Sequence, residues 1–86
     1  EDASASVYPN PSSSGLFQWK FSLDKPAVVT YFISDAMGRM ILSPKNANFG
    51  SGEQIQLLDL SMFPAGTYLL SWKMEDGLVQ QIKILR

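Results

Sequence analysis

The residues best equipped for chemistry in this chain are its serines, lysines and carboxylates. Ser12, Ser13 and Ser14 stand in a row, but a hydroxyl becomes a nucleophile only when a neighbouring base takes its proton. Histidine, the commonest such base, is absent, and so is cysteine. A serine–lysine dyad would draw on Lys20, Lys25, Lys45, Lys73 or Lys83, and no spacing singles one out. Glu75 and Asp76 adjoin at a turn, where solvated charge is the plain reading. Asp35 stands three residues before Gly38, the arrangement in which a carboxylate caps the backbone amides of its own turn. The string "GSGE" lacks the strand, glycine loop and helix that phosphate binding requires. No acidic cluster has calcium-loop spacing, and thiolate and imidazole ligands are missing altogether. Catalytic residues, metal sites and cofactors are therefore not expected.

Binding is better supported. Trp19 and Trp72 are of a type that stacks on sugars, although both fall on the apolar parity of their segments, which favours core packing. Met37, Met40, Met62 and Phe63 lie at or beside turns, where they either anchor a partner or plug the end of a small core. The net charge is −1, with seven basic residues scattered along the chain, so no nucleic-acid footprint is present. No apolar run approaches the ~20 residues of a membrane-spanning helix, and no basic-then-apolar leader opens the sequence. Membrane insertion is not expected.

The elements that must position these residues are strands. With 86 residues, one domain spanning 1–86 is expected, with a modest core. Period-two alternation is plain in "LFQWKFSL", which puts Phe17, Trp19, Phe21 and Leu23 on one face. It recurs in "VVTYFIS" (Val29, Tyr31, Ile33), in "TYLLSWKM" (Tyr68, Leu70, Trp72, Met74) and in "VQQIKIL" (Ile82, Ile84). A short strand around Ile41 ends at Ser43-Pro44. "EQIQLLDL" changes parity between Leu57 and Leu58, which predicts a bulge. A first strand over residues 3–8 completes a count of seven. Asp76-Gly77 reads as a tight hairpin turn, "SDAMGR" as a turn with positive φ at Gly38, and "FPAGTY" as a proline-led turn. "SPKNANFGSG" reads as the longest and most mobile loop, and residues 12–15 as a flexible turn. Seven short strands at roughly ten-residue spacing predict an all-β fold, an antiparallel seven-stranded immunoglobulin-like β-sandwich.

Four stretches, "VYPNP", "SDAMGR", "LDLSMFPAGTYLL" and "IKILR", occur in this order along nearly the whole chain. Together they resemble the C-terminal sorting domain of the type IX secretion system of Bacteroidota. The family pattern is a PNP segment, an aspartate–x–x–glycine–basic turn, a leucine–serine–x–x–proline–alanine–glycine–x–tyrosine block and a basic, isoleucine-rich last strand. Carried over, the motif residues are Pro9, Asn10 and Pro11; Asp35, Gly38 and Arg39; Gly66 and Tyr68; and Lys83 and Arg86. Pro9, Asn10, Pro11, Asp35, Gly38, Gly66 and Tyr68 are expected to serve the fold. Arg39, Lys83, Leu85 and Arg86 are the candidates for direct recognition, joined by Met37, which stands where the family often has asparagine.

The resemblance implies an immunoglobulin-like sandwich joined to an N-terminal cargo that is exported to the periplasm. The implied partners are the type IX translocon and its outer-membrane shuttle protein, followed by a sortase-like peptidase that acts upstream of the domain during surface attachment. The implied cut puts "EDASAS" at or just after it, with residues 1–6 as the end of a linker. Recognition would use exposed strand edges and the last strand, by strand addition. The competing reading is an immunoglobulin-like accessory module of a surface protein, binding glycan through Trp19 and Trp72 or packing on a neighbouring domain.

Overall fold

The computed structural model describes residues 5–10, 12–75, 77 and 79–86. Seven strands follow one another: β1 (Ala5–Tyr8), β2 (Leu16–Leu23), β3 (Ala27–Asp35), β4 (Met40–Phe49), β5 (Gly52–Asp59), β6 (Thr67–Lys73) and β7 (Val79–Leu85). They form two antiparallel sheets, a three-stranded one in the order β1-β2-β5 and a four-stranded one in the order β4-β3-β6-β7. The all-β, immunoglobulin-like sandwich predicted from strand periodicity is the fold observed.

The core follows the predicted parity. Phe17, Trp19, Phe21 and Leu23 point inward from β2, and Val29, Tyr31 and Ile33 from β3. Tyr68, Leu70 and Trp72 do so from β6, and Ile84 from β7. Trp19 is fully enclosed, with its ring centroid 4.4 Å from Phe21, 5.2 Å from Tyr31 and 5.1 Å from Trp72. Each buried aromatic of this kind contributes roughly 2–3 kcal/mol of transfer free energy. The two tryptophans are therefore the centre of the sandwich, and neither face of either ring is open to a sugar.

Two expectations are corrected. The segment read as the longest loop is strand: β4 runs on through Pro44 to Phe49, pairing Lys45 with Tyr31 and Phe49 with Ala27. Proline removes a ladder donor and is tolerated at sheet edges and bulges. β4 is an edge strand, and its register against β3 shifts on either side of Ile33, which accommodates Pro44 and Ile41. The bulge expected in β5 is absent, because β5 pairs with β2 in unbroken register from Asp59–Leu16 to Gly52–Leu23. The parity conflict resolves differently: Leu58 and Leu60 face the core, while Ile55 and Leu57 lie on the outer face and stay exposed.

The registers also fix what lies at each end. Leu16 opens β2 opposite Asp59 at the close of β5. Asp35 closes β3 opposite Tyr68 near the start of β6, and Thr67 pairs with Leu85 at the close of β7. One end therefore gathers the β1–β2, β3–β4 and β5–β6 connections and Arg86. The other carries the β2–β3, β4–β5 and β6–β7 connections. Asp76, expected to form the β6–β7 turn with Gly77, lies outside the described residues; Gly77 donates to the Met74 carbonyl at 2.9 Å, closing that turn.

Candidate functional site at one end of the sandwich

Stretches separated by up to 75 residues in the sequence meet at the first of these ends, held by hydrogen bonds that the strands themselves do not supply. Asn10 lies along the last strand. Its side-chain amide donates to the Lys83 carbonyl at 2.9 Å, and its Oδ1 accepts from the Leu85 amide at 2.9 Å. The side chain thus imitates one peptide unit of a neighbouring strand. The Ser12 amide extends the pairing by donating to the Leu85 carbonyl at 3.0 Å. Pro9 follows a cis Tyr8–Pro9 bond and is exposed; Pro11 lies outside the described residues.

The serine run is not loose. Ser12 is buried, and its hydroxyl donates to the Leu16 carbonyl at 3.1 Å and lies 3.3 Å from Ser14 Oγ. Ser14 Oγ in turn accepts from the Leu16 amide. These bonds fold the connection onto itself, so the flexible turn expected over 12–15 is instead a fixed corner. Ser12 and Ser14 thus serve the backbone.

Arg86 is drawn into the same end. Its amide and carbonyl exchange bonds of 2.9 Å with Gly66, adding a rung beyond β6 and β7. Its guanidinium donates to the carbonyls of Leu60 (3.0 Å), Ser61 (3.3 Å) and Ser14 (3.5 Å). One side chain thereby ties the β1–β2 connection to the β5–β6 connection, a task suited to the several donors of a guanidinium. Gly15 leaves room for it. A Cβ at position 15 would fall 2.5 Å from Arg86 Nε and 2.8 Å from the Ser61 backbone, and the residue has φ of +84°.

The β3–β4 turn is built around Asp35, as its spacing predicts. Oδ1 accepts from the amides of Met37 and Arg39, both at 2.9 Å, and Oδ2 accepts from Arg39 Nε at 2.9 Å. These bonds hold the Asp35 carboxyl below its ordinary value of 3.8, led by the Arg39 amide. Gly38 takes φ of +86° and donates to the Asp35 carbonyl. The β5–β6 block has the same design: Asp59 Oδ1 accepts from the hydroxyl and amide of Ser61, which likewise lowers the Asp59 carboxyl. Tyr68 is buried and its hydroxyl donates to the Pro64 carbonyl, a tyrosine corner of the kind found in immunoglobulin-like sandwiches.

From this braced end three side chains stand out. Met62 is 91% exposed, Met37 is 82% exposed and the Arg39 side chain is 80% exposed. None is needed to fill the core. Met40 and Leu85 are partly exposed at the same end, and Lys83 is exposed. Phe63, by contrast, packs on the core.

The sequence that carries these four stretches matches a family model. The model of the secretion system C-terminal sorting domain covers residues 6–85. The chain belongs to that family. No curated protein and no solved structure matches it at a significant level. As a type IX sorting domain, it is part of an exported protein bound for the outer membrane or cell surface, with cargo linked N-terminally, and the family is one of signals rather than enzymes. Among the described residues of the sorting domain no group of acidic side chains is placed to hold a metal ion.

The sequence-predicted residues divide in two within this end. Asn10, Asp35, Gly38, Gly66 and Tyr68 are bonded into its framework. Of the recognition candidates, Arg39 and Met37 project from it, Lys83 and Leu85 lie on β7 beside Asn10, and Arg86 is engaged with three carbonyls. Ser12, Gly15, Ser61 and Met62 also belong to the site. Of these, Met62 was legible as a methionine beside a turn and Gly15 as a glycine between a polar run and a strand; the carbonyls that Arg86 meets are invisible to composition.

Proposed function

We propose that the domain is a type IX secretion signal whose recognition face is the motif-bearing end. It directs its cargo to the translocon and the outer-membrane shuttle protein. A sortase-like peptidase then cuts upstream of β1; Ala5 and Ser6, expected in the linker, are the first residues of that strand, which leaves the residues ahead of Ala5 as the remnant of the linker. The observation that carries this reading is that Met37, Arg39 and Met62 stand out from turns held rigid by Asp35 and Asp59, although packing requires none of the three. Rigid presentation of exposed methionine and arginine lowers the ordering entropy of binding, and both residue types suit adaptable interfaces. The glycan-binding alternative loses its platform, since both tryptophans are in the core.

The test must separate recognition from folding. Deleting the last five residues would remove buried Ile84 and the Arg86 bonds, so export would fail for structural reasons. Exposed-residue variants avoid this. A cargo fusion carrying Met37→Ser, Arg39→Ser and Met62→Ser is expected to keep its melting temperature within a few degrees and to accumulate in the periplasm. Normal surface delivery of that stable fusion overturns the assignment of the face.

A further inference from the structure

Four strand edges bound the two sheets, and among the described residues three are guarded. β1 is four residues long. β7 carries Asn10 and Ser12 along Lys83 and Leu85. β4 holds Pro44 and two register shifts. Short edges, prolines, bulges and side-chain covers are the devices by which sheets avoid pairing with foreign strands. β5 is the least guarded: it is eight residues long, without proline and regular throughout, and its cover is a single side chain, Gln56. Its inner side opens onto a cleft of about 230 Å³ between β5 and β4, floored by Tyr31, Ile33, Leu58 and Leu60. Its outer side exposes Ile55 (54%) and Leu57 (69%). The one side-chain bond within β5, from Gln56 Nε2 to the Leu57 carbonyl at 3.2 Å, is exposed and readily exchanged for an incoming amide.

We propose that the β5 edge docks an extended strand of a partner protein, with apolar residues at its centre and a basic residue towards each end. The charge pattern selects the occupant. Glu53, Ile55, Leu57 and Asp59 share the outer face at two-residue spacing, so an added strand meets an acidic, two apolar and an acidic position in turn; Glu53 also pairs with Lys20 of β2 at 3.0 Å and Asp59 with Ser61, both at exposed positions that leave carboxylate oxygens for a partner. Its own residues at that spacing are best basic, apolar, apolar and basic, since opposite charges across a strand pair stabilise it. The intervening central residue points into the cleft and is apolar for that reason. A second copy of this chain fits poorly. The antiparallel self-pairing that sets Ile55 against Leu57 is centred on Gln56, and it also sets Glu53 against Asp59 on both sides of the axis.

The inference does not depend on the sorting reading, and its test uses the chain alone. The probe is a synthetic heptapeptide with lysine at positions 1 and 7, valine at 3, 4 and 5, and threonine at 2 and 6, titrated into isotope-labelled protein. Amide shifts are expected along β5 and at the cleft residues Ile41 and Leu42. A peptide with glutamate at both ends should bind several-fold more weakly. Glu53→Lys, which also gives up the exposed ion pair with Lys20, should weaken the lysine peptide and strengthen the glutamate peptide, whereas Lys20→Ser should leave the preference for the lysine peptide in place. Shifts centred on β1, β4 or β7, indifference to peptide charge, no binding by either peptide, or a β5-mediated dimer of the chain in sedimentation would each overturn the proposal.

Discussion

The two ends of the sandwich close their turns by different means. At the far end the Gly77 amide donates to the Met74 carbonyl in the β6–β7 turn, and Gln54 steadies the β4–β5 connection by reaching the carbonyls of Gly50 and Ser51. Among the described residues, the bonds there stay within a turn. At the motif-bearing end Asn10 answers to Lys83 and Leu85, Leu60 to Gly15, and Arg86 to Ser14, Leu60 and Ser61. Apart from the β3–β4 turn, which Asp35 closes locally, turns distant in sequence hold one another, so their joint geometry is set only when the whole domain has folded. A partner reading that end would recognise the folded state rather than a short linear stretch.

The sharpest way to break the comparison uses two glycines with the same backbone. Gly15 and Gly77 both have φ of +84°, but among the described residues nothing lies within 4 Å of a Cβ built on Gly77, whereas one on Gly15 meets Arg86 and Ser61. Gly77→Ala therefore bears only the left-handed penalty of about 1–2 kcal/mol. Gly15→Ala bears the same penalty and must also displace the Ser61 backbone and the Arg86 guanidinium, for a total of ~3 kcal/mol or more. At 4–8 °C per kcal/mol for a domain of this size, the difference is a drop in melting temperature beyond ~12 °C against one of roughly 4–16 °C. Urea denaturation of both variants checks it, and equal losses would mean that the close approach at position 15 relaxes freely. The double variant Gly15→Ala, Arg86→Ala should lose less than the sum of its parts, because removing the guanidinium relieves part of the clash made by the new Cβ, and that clash already costs Arg86 its bonds.

Next in size is the Asn10 clamp. Asn10→Ala removes two hydrogen bonds to exposed backbone groups and is expected to destabilise by about 1–2 kcal/mol. The loss should be local as well as global. Hydrogen exchange at the Leu85 amide should speed up by more than the change in global stability accounts for, because that amide loses its only partner across the β7 edge. Uniform acceleration across β6 and β7 would show instead that the clamp has no local role.

The same contrast explains what was legible in the sequence. Strand number, and the inward parity of β2, β3, β6 and β7, follow from period two, a property of each strand taken alone. The Asp35 turn was legible because a carboxylate and a glycine at fixed spacing close it locally. Features that depend on neighbours were hidden. Pro44 disguised the second half of β4, because proline argues against a strand unless that strand is known to lie at an edge. Ile55 and Leu57 looked like core residues in conflict with Leu58 and Leu60, and only the pairing with β2 shows that they face outward. Arg86 looked accessible, yet its guanidinium finds carbonyls of two connections that alternation alone cannot bring together.

The smallest expected effect is set by pH and touches the motif-bearing end alone. Asp35 and Asp59 both have carboxyls held below their ordinary value by hydrogen bonds to the charged form. A group whose folded value is lowered stabilises the fold above its unfolded value of ~3.9 and loses that contribution as the pH falls through the folded value. Stability is therefore expected to be level from neutral pH to about 5 and to decline below ~4 as these two carboxylates take up protons. Asp35→Asn keeps an oxygen for the Met37 and Arg39 amides but gives up the Arg39 ion pair. It should lower stability slightly at pH 7 and flatten the acid limb. Melting temperatures of the two proteins that converge towards pH 3 would locate the effect in the turn; parallel curves would assign the acid sensitivity to other carboxylates.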